Sequence, residues 1–208
     1  MELKNKRIIV TGGSDGIGRH ICLKLAAVGT RLAILGRDAD RLAGVEAECI
    51  AAGASEAIGI ACDIQNPDAI SGAVEQVTAA FGGLDILINN AGIWHKTGPL
   101  DEIPPQLLQA TVQTNLTGLM QITQAAIPAL RANDEGIILN VVSKSGVVAQ
   151  AGQSVYTATK YGVRGFTEVL KADEENTGVR VGGVYQSGTN TGMFSKAGED
   201  VPNHIFTE

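Results

Sequence analysis

The chain has 208 residues, of which 44% are hydrophobic, 18% charged and 4% aromatic, and its net charge is −6. This length suits a single domain with a core of Ala, Val, Ile and Leu. An acidic balance without any run of Lys and Arg excludes the electrostatic pattern of a nucleic-acid binder. No apolar run reaches the roughly 18 residues that a membrane span needs, so we expect no membrane partner.

The three cysteines, Cys22, Cys49 and Cys62, are scattered and show neither CxxC nor Cys/His metal spacing. Reduced thiols in a cytoplasmic protein are the simplest interpretation, and we expect no metal site. The first residues, MELKNKRIIVTGG, lead directly into a predicted strand, so we expect no secretory signal.

Predicted strands and helices alternate along the whole chain. The strands are predicted at 7–12, 30–37, 56–64, 84–92, 136–143 and 179–185, and the helices at 16–29, 38–53, 66–83, 105–131 and 154–176. Asp38 and Asn66 are typical N-caps, Pro67 suits a first helical position, and Gly53 is typical of a helix stop.

The predicted strands are almost continuously apolar instead of alternating between apolar and polar residues. Strands that are buried on both faces have this pattern, which indicates a parallel sheet between two layers of helices. No linker or low-complexity segment divides the chain. We therefore predict a single α/β domain over residues 1–208, with a doubly wound, Rossmann-like parallel sheet.

The turn TGGSDGIG joins the first predicted strand to the first helix. Gly12, Gly16 and Gly18 stand where a dinucleotide fold needs a tight turn, a close approach to pyrophosphate, and close packing of helix on strand. The spacing is GxxxGxG, whereas GxGxxG is commoner. The alternative is a tight strand-to-helix turn without a ligand.

The end of the second predicted strand, LGRD, bears on the choice of cofactor. Arg37 favours the 2′-phosphate of NADP(H), whereas an acidic residue would favour the ribose hydroxyls of NAD(H). Asp38 is then a helix cap, although Asp15 in the glycine turn opposes an extra phosphate. NADP(H) is the preferred expectation, NAD(H) stays possible, and a solvated surface Arg37 is the alternative.

Three side chains suggest an acid–base site. Tyr156 and Lys160 are four residues apart in a predicted helix and so lie on one face. A Lys ammonium close to a phenol favours the phenolate, and we expect it to lower the pKa of Tyr156 from about 10. Ser143 ends the fifth predicted strand, at the sheet edge where open α/β folds bind ligands, and its hydroxyl can hydrogen-bond a substrate carbonyl.

In these residues the sequence resembles the short-chain dehydrogenase/reductase family. The shared motifs occur in the family's order: TGGSDGIG, NNAG at Asn89–Gly92, TNLTG around Asn115, Ser143, YTATK, and GTNTGM. The resemblance implies hydride transfer between a nicotinamide dinucleotide and a small carbonyl or alcohol substrate. It makes Tyr156 the proton donor or base, Lys160 the group that lowers its pKa and binds the nicotinamide ribose, and Ser143 the group that polarises the carbonyl. Asn115 is implied to hold a helix kink and a water.

The same resemblance implies a set of dinucleotide contacts. The phosphates are assigned to Gly12, Ser14, Ile17 and Gly18, the adenine to Asp63 and Ile64, its ribose to Asn90, and the nicotinamide carboxamide to Thr189 and Thr191. From the sequence alone, Asp63 has a second interpretation, as the first residue of a turn, which is nearly as well supported as the adenine contact. Trp94 and His95 either line the substrate pocket or belong to a loop, and Gln150 and Gln153 are weaker candidates of the same kind.

Two departures from the family's pattern qualify the resemblance. Gln186-Ser187 replaces the usual Pro-Gly after the sixth strand, and the chain ends before the family's last helix and edge strand, so we expect a shortened form. Relatives pair through helices that correspond to 107–131 and 154–176, which predicts a homodimer. The rival to an enzyme is a dinucleotide-binding sensor or scaffold without turnover. An epimerase or dehydratase is a weaker alternative, because those relatives carry a larger substrate domain.

Overall fold

The computed structural model describes residues 2–133 and 135–201. Six parallel strands form one sheet in the order β3-β2-β1-β4-β5-β6. The strands are β1 (Arg7–Thr11), β2 (Arg31–Gly36), β3 (Glu56–Ala61), β4 (Ile86–Asn89), β5 (Gly136–Val141) and β6 (Val179–Val184). The helices are α1 (Gly16–Ala26), α2 (Ala39–Ala52), α3 (Pro67–Phe81), α4 (Pro105–Val112), α5 (Leu119–Arg131), α6 (Ser154–Asp173) and α7 (Gly192–Lys196). The predicted α/β class and doubly wound parallel sheet are confirmed.

Helices cover both faces of the sheet, and alternate strand residues feed two separate cores. Ile8 and Val10 of β1 pack in one cluster with buried residues of α1 and α2. Ile9, between them, packs in the other cluster with α3 and α5. Because successive strand side chains point to opposite faces, a strand buried on both sides must be apolar throughout. This packing explains the continuous apolar runs of the sequence.

The predicted caps of α2 and α3 are present. Asp38 accepts a hydrogen bond from Arg41 N, and Gly53 ends α2 in the left-handed conformation, with φ of 111°. Asn66 accepts from the backbone N–H groups of Asp68 and Ala69, and Pro67 occupies the first position of α3. Side-chain oxygens at these ends satisfy backbone donors that have no partner inside the helix.

Two elements differ from the sequence-based prediction. The helical stretch predicted at 105–131 is interrupted by a π-helical turn, Gln113–Gly118, which separates α4 from α5. The short helix α7 after β6 was not predicted, and Thr191 caps it by accepting from Met193 N. The π-helical turn contains Asn115, the residue at which the family resemblance implies a helix kink.

Within the described ranges, the thiols are free, and neither a cluster of metal-ligating side chains nor a long apolar helix is present. Cys22, Cys49 and Cys62 are free and buried. Among residues 2–133 and 135–201, no three His, Cys, Asp or Glu side chains cluster so that they could hold a metal ion. In that same part of the chain, every helix is too short or too polar to cross a membrane.

A partly buried ion pair joins Arg7, the first residue of β1, to Asp85, which directly precedes β4. The Arg7 guanidinium donates to both carboxylate oxygens of Asp85 at 2.8 Å, and the backbone N–H of Arg7 donates to Oδ2 at the same distance. Arg7 also bonds Gly82 O and Asn133 Oδ1, both at 2.7 Å. Burial alone would raise the pKa of Asp85, but the hydrogen bonds and charge of Arg7 outweigh it and lower that pKa.

We expect Asp85→Asn to lower the free energy of unfolding by about 2 kcal/mol at pH 7. The Arg7 side chain is 19% exposed, so the loss of stability is smaller than for a fully buried pair. Because the folded-state pKa of Asp85 is lowered, its stabilisation is present above the unfolded value of about 3.9 and lost as pH falls through the lower folded value. Urea unfolding of both proteins at pH 7 and at a series of pH values below about 3.9 measures how the difference changes.

Glu168→Gln is the matched control, because it removes an exposed ion pair with Arg164 on α6. Screened surface pairs contribute little, so this variant should unfold like the wild type. A difference between Asp85→Asn and wild type that stays constant over the whole pH range would show that the carboxylate charge is not the cause.

Candidate active site

The glycine turn after β1 is fixed by side chains from the turn after β4. The Asn90 amide donates to Thr11 O at 3.0 Å and Gly12 O at 3.2 Å, and the Thr11 hydroxyl accepts from the N–H groups of Asn90 and Ala91 at 3.0 Å. A Cβ on Gly18 would lie 2.1 Å from Gly12 O and 2.5 Å from Asn90 Nδ2. Only glycine fits there, and the turn is held rigidly against the sheet.

The N-terminus of α1 has the positive electrostatic character of an anion site. The carboxylate of Asp15 at this end is paired with basic side chains. Asp15 caps the helix by accepting from Gly16 N at 2.7 Å. Its other oxygen bonds Lys196 and lies 3.3 Å from Arg41 Nη1, and the Lys196 hydrogen bond is the largest cause of the lowered pKa of Asp15. The first turn of α1, which lies wholly within the described residues, holds no acidic side chain. A dinucleotide pyrophosphate fits this site, because the helix N-terminus attracts it and the Asp15 charge is neutralised.

The residues predicted to bind the adenosine end of the dinucleotide follow β2 and β3. Arg37 is exposed, while Asp38 caps α2 and lies 3.3 Å from Arg41 Nε. Ser14 lies against Gly36, since a Cβ there would be 2.8 Å from Ser14 Oγ. Arg37 is therefore accessible to a ligand phosphate at this corner, and Asp38 is engaged as the cap.

Asp63 and Ile64 differ in what they offer at the end of β3. The Asp63 carboxylate is exposed and accepts from Gln65 N at 3.0 Å, which is the geometry of a residue that begins a turn. Ile64 is buried in the larger core. The contact of Asp63 with adenine stays a prediction beside this structural role.

Ser143, Tyr156 and Lys160 come together at the carboxyl end of β5. The Tyr156 side chain is buried and lies beside Ser143. Lys160 donates from Nζ to Val141 O at 2.9 Å, and Nζ lies 5.6 Å from the centre of the Tyr156 ring. Ser143 has φ of 86°, a left-handed conformation that costs free energy for a residue with a side chain. The three side chains predicted as a group therefore converge.

The direction of the Tyr156 pKa shift is the opposite of the expected one. Burial raises the pKa of Tyr156 to about 12, because it penalises the phenolate more than the neighbouring Ser143 side chain favours it. Burial also lowers the pKa of Lys160 to about 8. The expected lowering of the phenol's pKa by Lys160 is thus wrong for the protein alone, since desolvation dominates both groups.

Asn115 lies in the middle of the π-helical turn and is fully buried. Its amide exchanges two hydrogen bonds with the backbone of Ile93: Oδ1 accepts from N at 2.7 Å and Nδ2 donates to O at 2.8 Å. Nδ2 also lies 3.4 Å from Thr159 Oγ1, and that hydroxyl donates to Tyr156 O at 2.7 Å. Asn115 therefore connects the turn after β4 to helix α6.

The residues after β6 close over the same edge of the sheet. Thr191 lies against the glycine turn, because a Cβ on Gly16 would be 3.3 Å from Thr191 Cβ. Thr189 makes a long hydrogen bond of 3.4 Å to Ser187 O. Gln186 O accepts from Lys144 N at 2.8 Å, and this contact ties the Gln186-Ser187 segment to the loop that carries Ser143.

Trp94 packs directly against Tyr156 of the predicted acid–base group. Its ring meets the Tyr156 ring edge-on, with centroids 4.6 Å apart, and lies 5.8 Å from Phe194 of α7. Glu199 accepts from Trp94 Nε1 at 3.1 Å and also from Thr97 N. Sequence reasoning missed Glu199 and Lys196, because neither belongs to a motif and their partners are more than 100 residues away.

A parallel sheet with a glycine turn at the N-terminus of its first helix, and a Ser, Tyr and Lys group at the same edge, defines an α/β protein of the dinucleotide-binding class. A family model described as short chain dehydrogenase matches residues 6–202, so the chain belongs to the short-chain dehydrogenase family.

Relatives of known name are similar over most of the chain. D-beta-hydroxybutyrate dehydrogenase of Cupriavidus necator is 35% identical over 93% of this chain and 74% of its own. The structure of 3-ketoacyl-(acyl-carrier-protein) reductase of Brucella melitensis, solved with NADH, is 28% identical with a TM-score of 0.88, over 93% of this chain and 79% of its own. A metagenomic short-chain oxidoreductase solved with NADP is 36% identical with a TM-score of 0.84, over 90% of this chain and 84% of its own.

Proposed function

We propose that this chain is an NAD(P)-dependent oxidoreductase that interconverts a carbonyl and an alcohol, with Tyr156 as the acid–base group. The observation that carries the proposal is the buried Tyr156 phenol, which lies beside Ser143 and one helical turn from Lys160, whose Nζ is 5.6 Å from the Tyr156 ring centre. The relatives are named as dehydrogenases and reductases, and two were solved with NADH or NADP, which supports the same reaction type and cofactor class here.

A bound nicotinamide dinucleotide would supply the hydride, and the chain's own groups would supply binding and the proton. The turn Gly12 to Gly18 and the α1 N-terminus would receive the phosphates. The Ser143 hydroxyl would donate a hydrogen bond to the substrate oxygen. The Tyr156 phenol would give its proton to that oxygen during reduction, or accept it from the alcohol during oxidation.

The protonation states suit reduction at neutral pH. With a pKa of about 12, the Tyr156 phenol is protonated and is in the form that donates a proton. With a pKa of about 8, Lys160 is mostly an ammonium ion at pH 7. Its positive charge lies 5.6 Å from the Tyr156 ring centre and would stabilise the phenolate that remains after transfer.

The proposal is tested by mixing the protein with NADPH or NADH and a panel of small aldehydes and ketones, and following nicotinamide absorbance. Loss of absorbance with at least one carbonyl supports the oxidoreductase. Saturable dinucleotide binding would favour a sensor or scaffold instead if the absorbance changed neither with the carbonyls and reduced cofactor nor with the matching alcohols and oxidised cofactor.

NADP(H) is the preferred cofactor in this proposal because Arg37 is exposed at the corner where a 2′-phosphate would lie. We expect Arg37→Ala to raise the KM for NADPH about tenfold, since one charge-assisted phosphate contact is lost, and to leave the KM for NADH unchanged. Steady-state kinetics with each cofactor measure the two values. Arg164→Ala controls for the loss of one positive charge elsewhere, and equal changes for both cofactors would contradict a role at the 2′-position.

The oligomeric state and the cellular compartment stay predictions. We expect two copies to pair through the segments 107–131, which comprises most of α4, the π-helical turn and α5, and 154–176, which contains α6. We also expect a reducing compartment such as the cytoplasm, which the three free, buried cysteines suit. Residues 202–208 lie outside the described residues.

A further inference from the structure

Helix α6 carries Tyr156 in its first turn, where backbone N–H groups have no partner inside the helix. Most helices satisfy one of these donors with a Ser, Thr, Asp or Asn at the N-cap. Here the N-cap residue is Gln153, and its side chain makes no capping hydrogen bond within the described residues. The Gln153 Oε1 atom is buried without any hydrogen-bond partner in that part of the chain. The cap must come from elsewhere.

A remote side chain supplies this cap. His95, in the loop after β4, is only 2% exposed, and its Nε2 accepts the Tyr156 backbone N–H at 3.3 Å. Its other ring nitrogen, Nδ1, lies 2.9 Å from Lys96 O. An imidazole that accepts at Nε2 has no proton there, so Nδ1 carries the proton and donates it to Lys96 O.

We propose that His95 is a positioning residue: its neutral imidazole caps α6 at the Tyr156 N–H and thereby fixes the residue that carries the phenol. The capping itself is independent of the reaction. Its effect on turnover rests on the proposed role of Tyr156 as the acid–base group.

The surroundings of the imidazole support positioning and exclude direct chemistry. Both ring nitrogens are engaged by the backbone, so neither is free to move a substrate proton. The Trp94 ring is nearly parallel to the imidazole, with ring centroids 6.3 Å apart, and it meets the Tyr156 ring edge-on. His95 therefore holds the loop that carries Trp94 to the helix that carries Tyr156. Small displacements at reacting groups are costly, because proton transfer needs hydrogen-bond distance.

The test compares two substitutions of the same residue. His95→Gln keeps an acceptor at about the position of Nε2, whereas His95→Leu fills similar space without one. We expect the Tyr156 amide to exchange with solvent about tenfold faster in His95→Leu, and within about threefold of wild type in His95→Gln. We expect kcat to follow the same order, with dinucleotide KM nearly constant in both. Equal exchange and equal kcat in the two variants would overturn the proposal.

One measurement on the unsubstituted protein covers the case in which a variant fails to fold. The imidazole ¹⁵N chemical shifts should show a proton on Nδ1 of His95 and none on Nε2. A proton on Nε2 at neutral pH would overturn the cap. Because amide exchange and ¹⁵N shifts need no substrate, they decide the capping even if Tyr156 proves not to be the acid–base group. If amide exchange differs between the two variants as expected but kcat does not, only the proposed effect of His95 on turnover is overturned.

Discussion

Replacement of Tyr156 by Phe is expected to lower kcat/KM for carbonyl reduction by about 10³-fold while changing dinucleotide affinity by less than about threefold. The substitution removes only the phenolic oxygen, which is the proposed proton donor. The ring stays available to fill the same buried space against Trp94. The loss therefore falls on the proton-transfer step and not on binding of the cofactor. Steady-state kinetics and calorimetric titration with NADPH measure the two quantities.

Tyr161 provides the matched control for this substitution. It lies on the same helix, five positions after Tyr156, and is 42% exposed. We expect Tyr161→Phe to behave like wild type in both measurements. Wild-type turnover by Tyr156→Phe would remove the phenol from the mechanism, whereas weak dinucleotide binding by this variant would mean that the substitution disturbs the site itself.

The second large effect is expected from Gly18→Ala. The added Cβ would lie 2.1 Å from the carbonyl oxygen of Gly12 and 2.5 Å from Asn90 Nδ2. A clash with backbone cannot be relieved by rotating a side chain, so either the glycine turn or α1 must move. We expect the free energy of unfolding to fall by about 3 kcal/mol and dinucleotide affinity to fall at least about tenfold. Denaturant unfolding and calorimetric titration test both parts.

Gly44→Ala is the control for the glycine experiment. Gly44 lies inside α2, where an added Cβ meets no atom of the described residues within 4 Å. Replacing an exposed helical Gly by Ala stabilises a helix by roughly 0.5–1 kcal/mol. The two variants should therefore shift stability in opposite directions. A destabilisation by Gly18→Ala no larger than that of an ordinary surface substitution would show that the turn is not closely packed.

Much of the fold could be predicted because its signals are local. The apolar strands, the caps at Asp38 and Asn66, and the glycine turn each occupy a few consecutive residues. The rule that carboxyl ends of parallel strands share one edge then places Ser143 beside the first turn of α6. Tyr156 and Lys160 share a helix face because four residues make about one turn. For these reasons residue type and spacing were enough to predict the proposed catalytic group.

Electrostatics and long-range capping could not be predicted in this way. The pKa of Tyr156 was expected to fall, yet it rises to about 12, because the fold buries the phenol and Lys160 alike. Sequence spacing reports that two groups are neighbours, but the solvation of each group depends on everything packed around them. The cap on Tyr156 comes from His95, 61 residues earlier, which no local pattern reveals.

The sequence by itself therefore determined the βαβ order, the parallel sheet and the identity of the Ser, Tyr and Lys group, since these depend on residue type and short spacing. Only the tertiary structure decided how deeply that group is buried, which residue caps α6, and how the segment from Thr191 to Glu199 packs beside the site. Burial and contacts between distant segments arise when the chain packs, and their energies depend on distances that the order of residues does not contain.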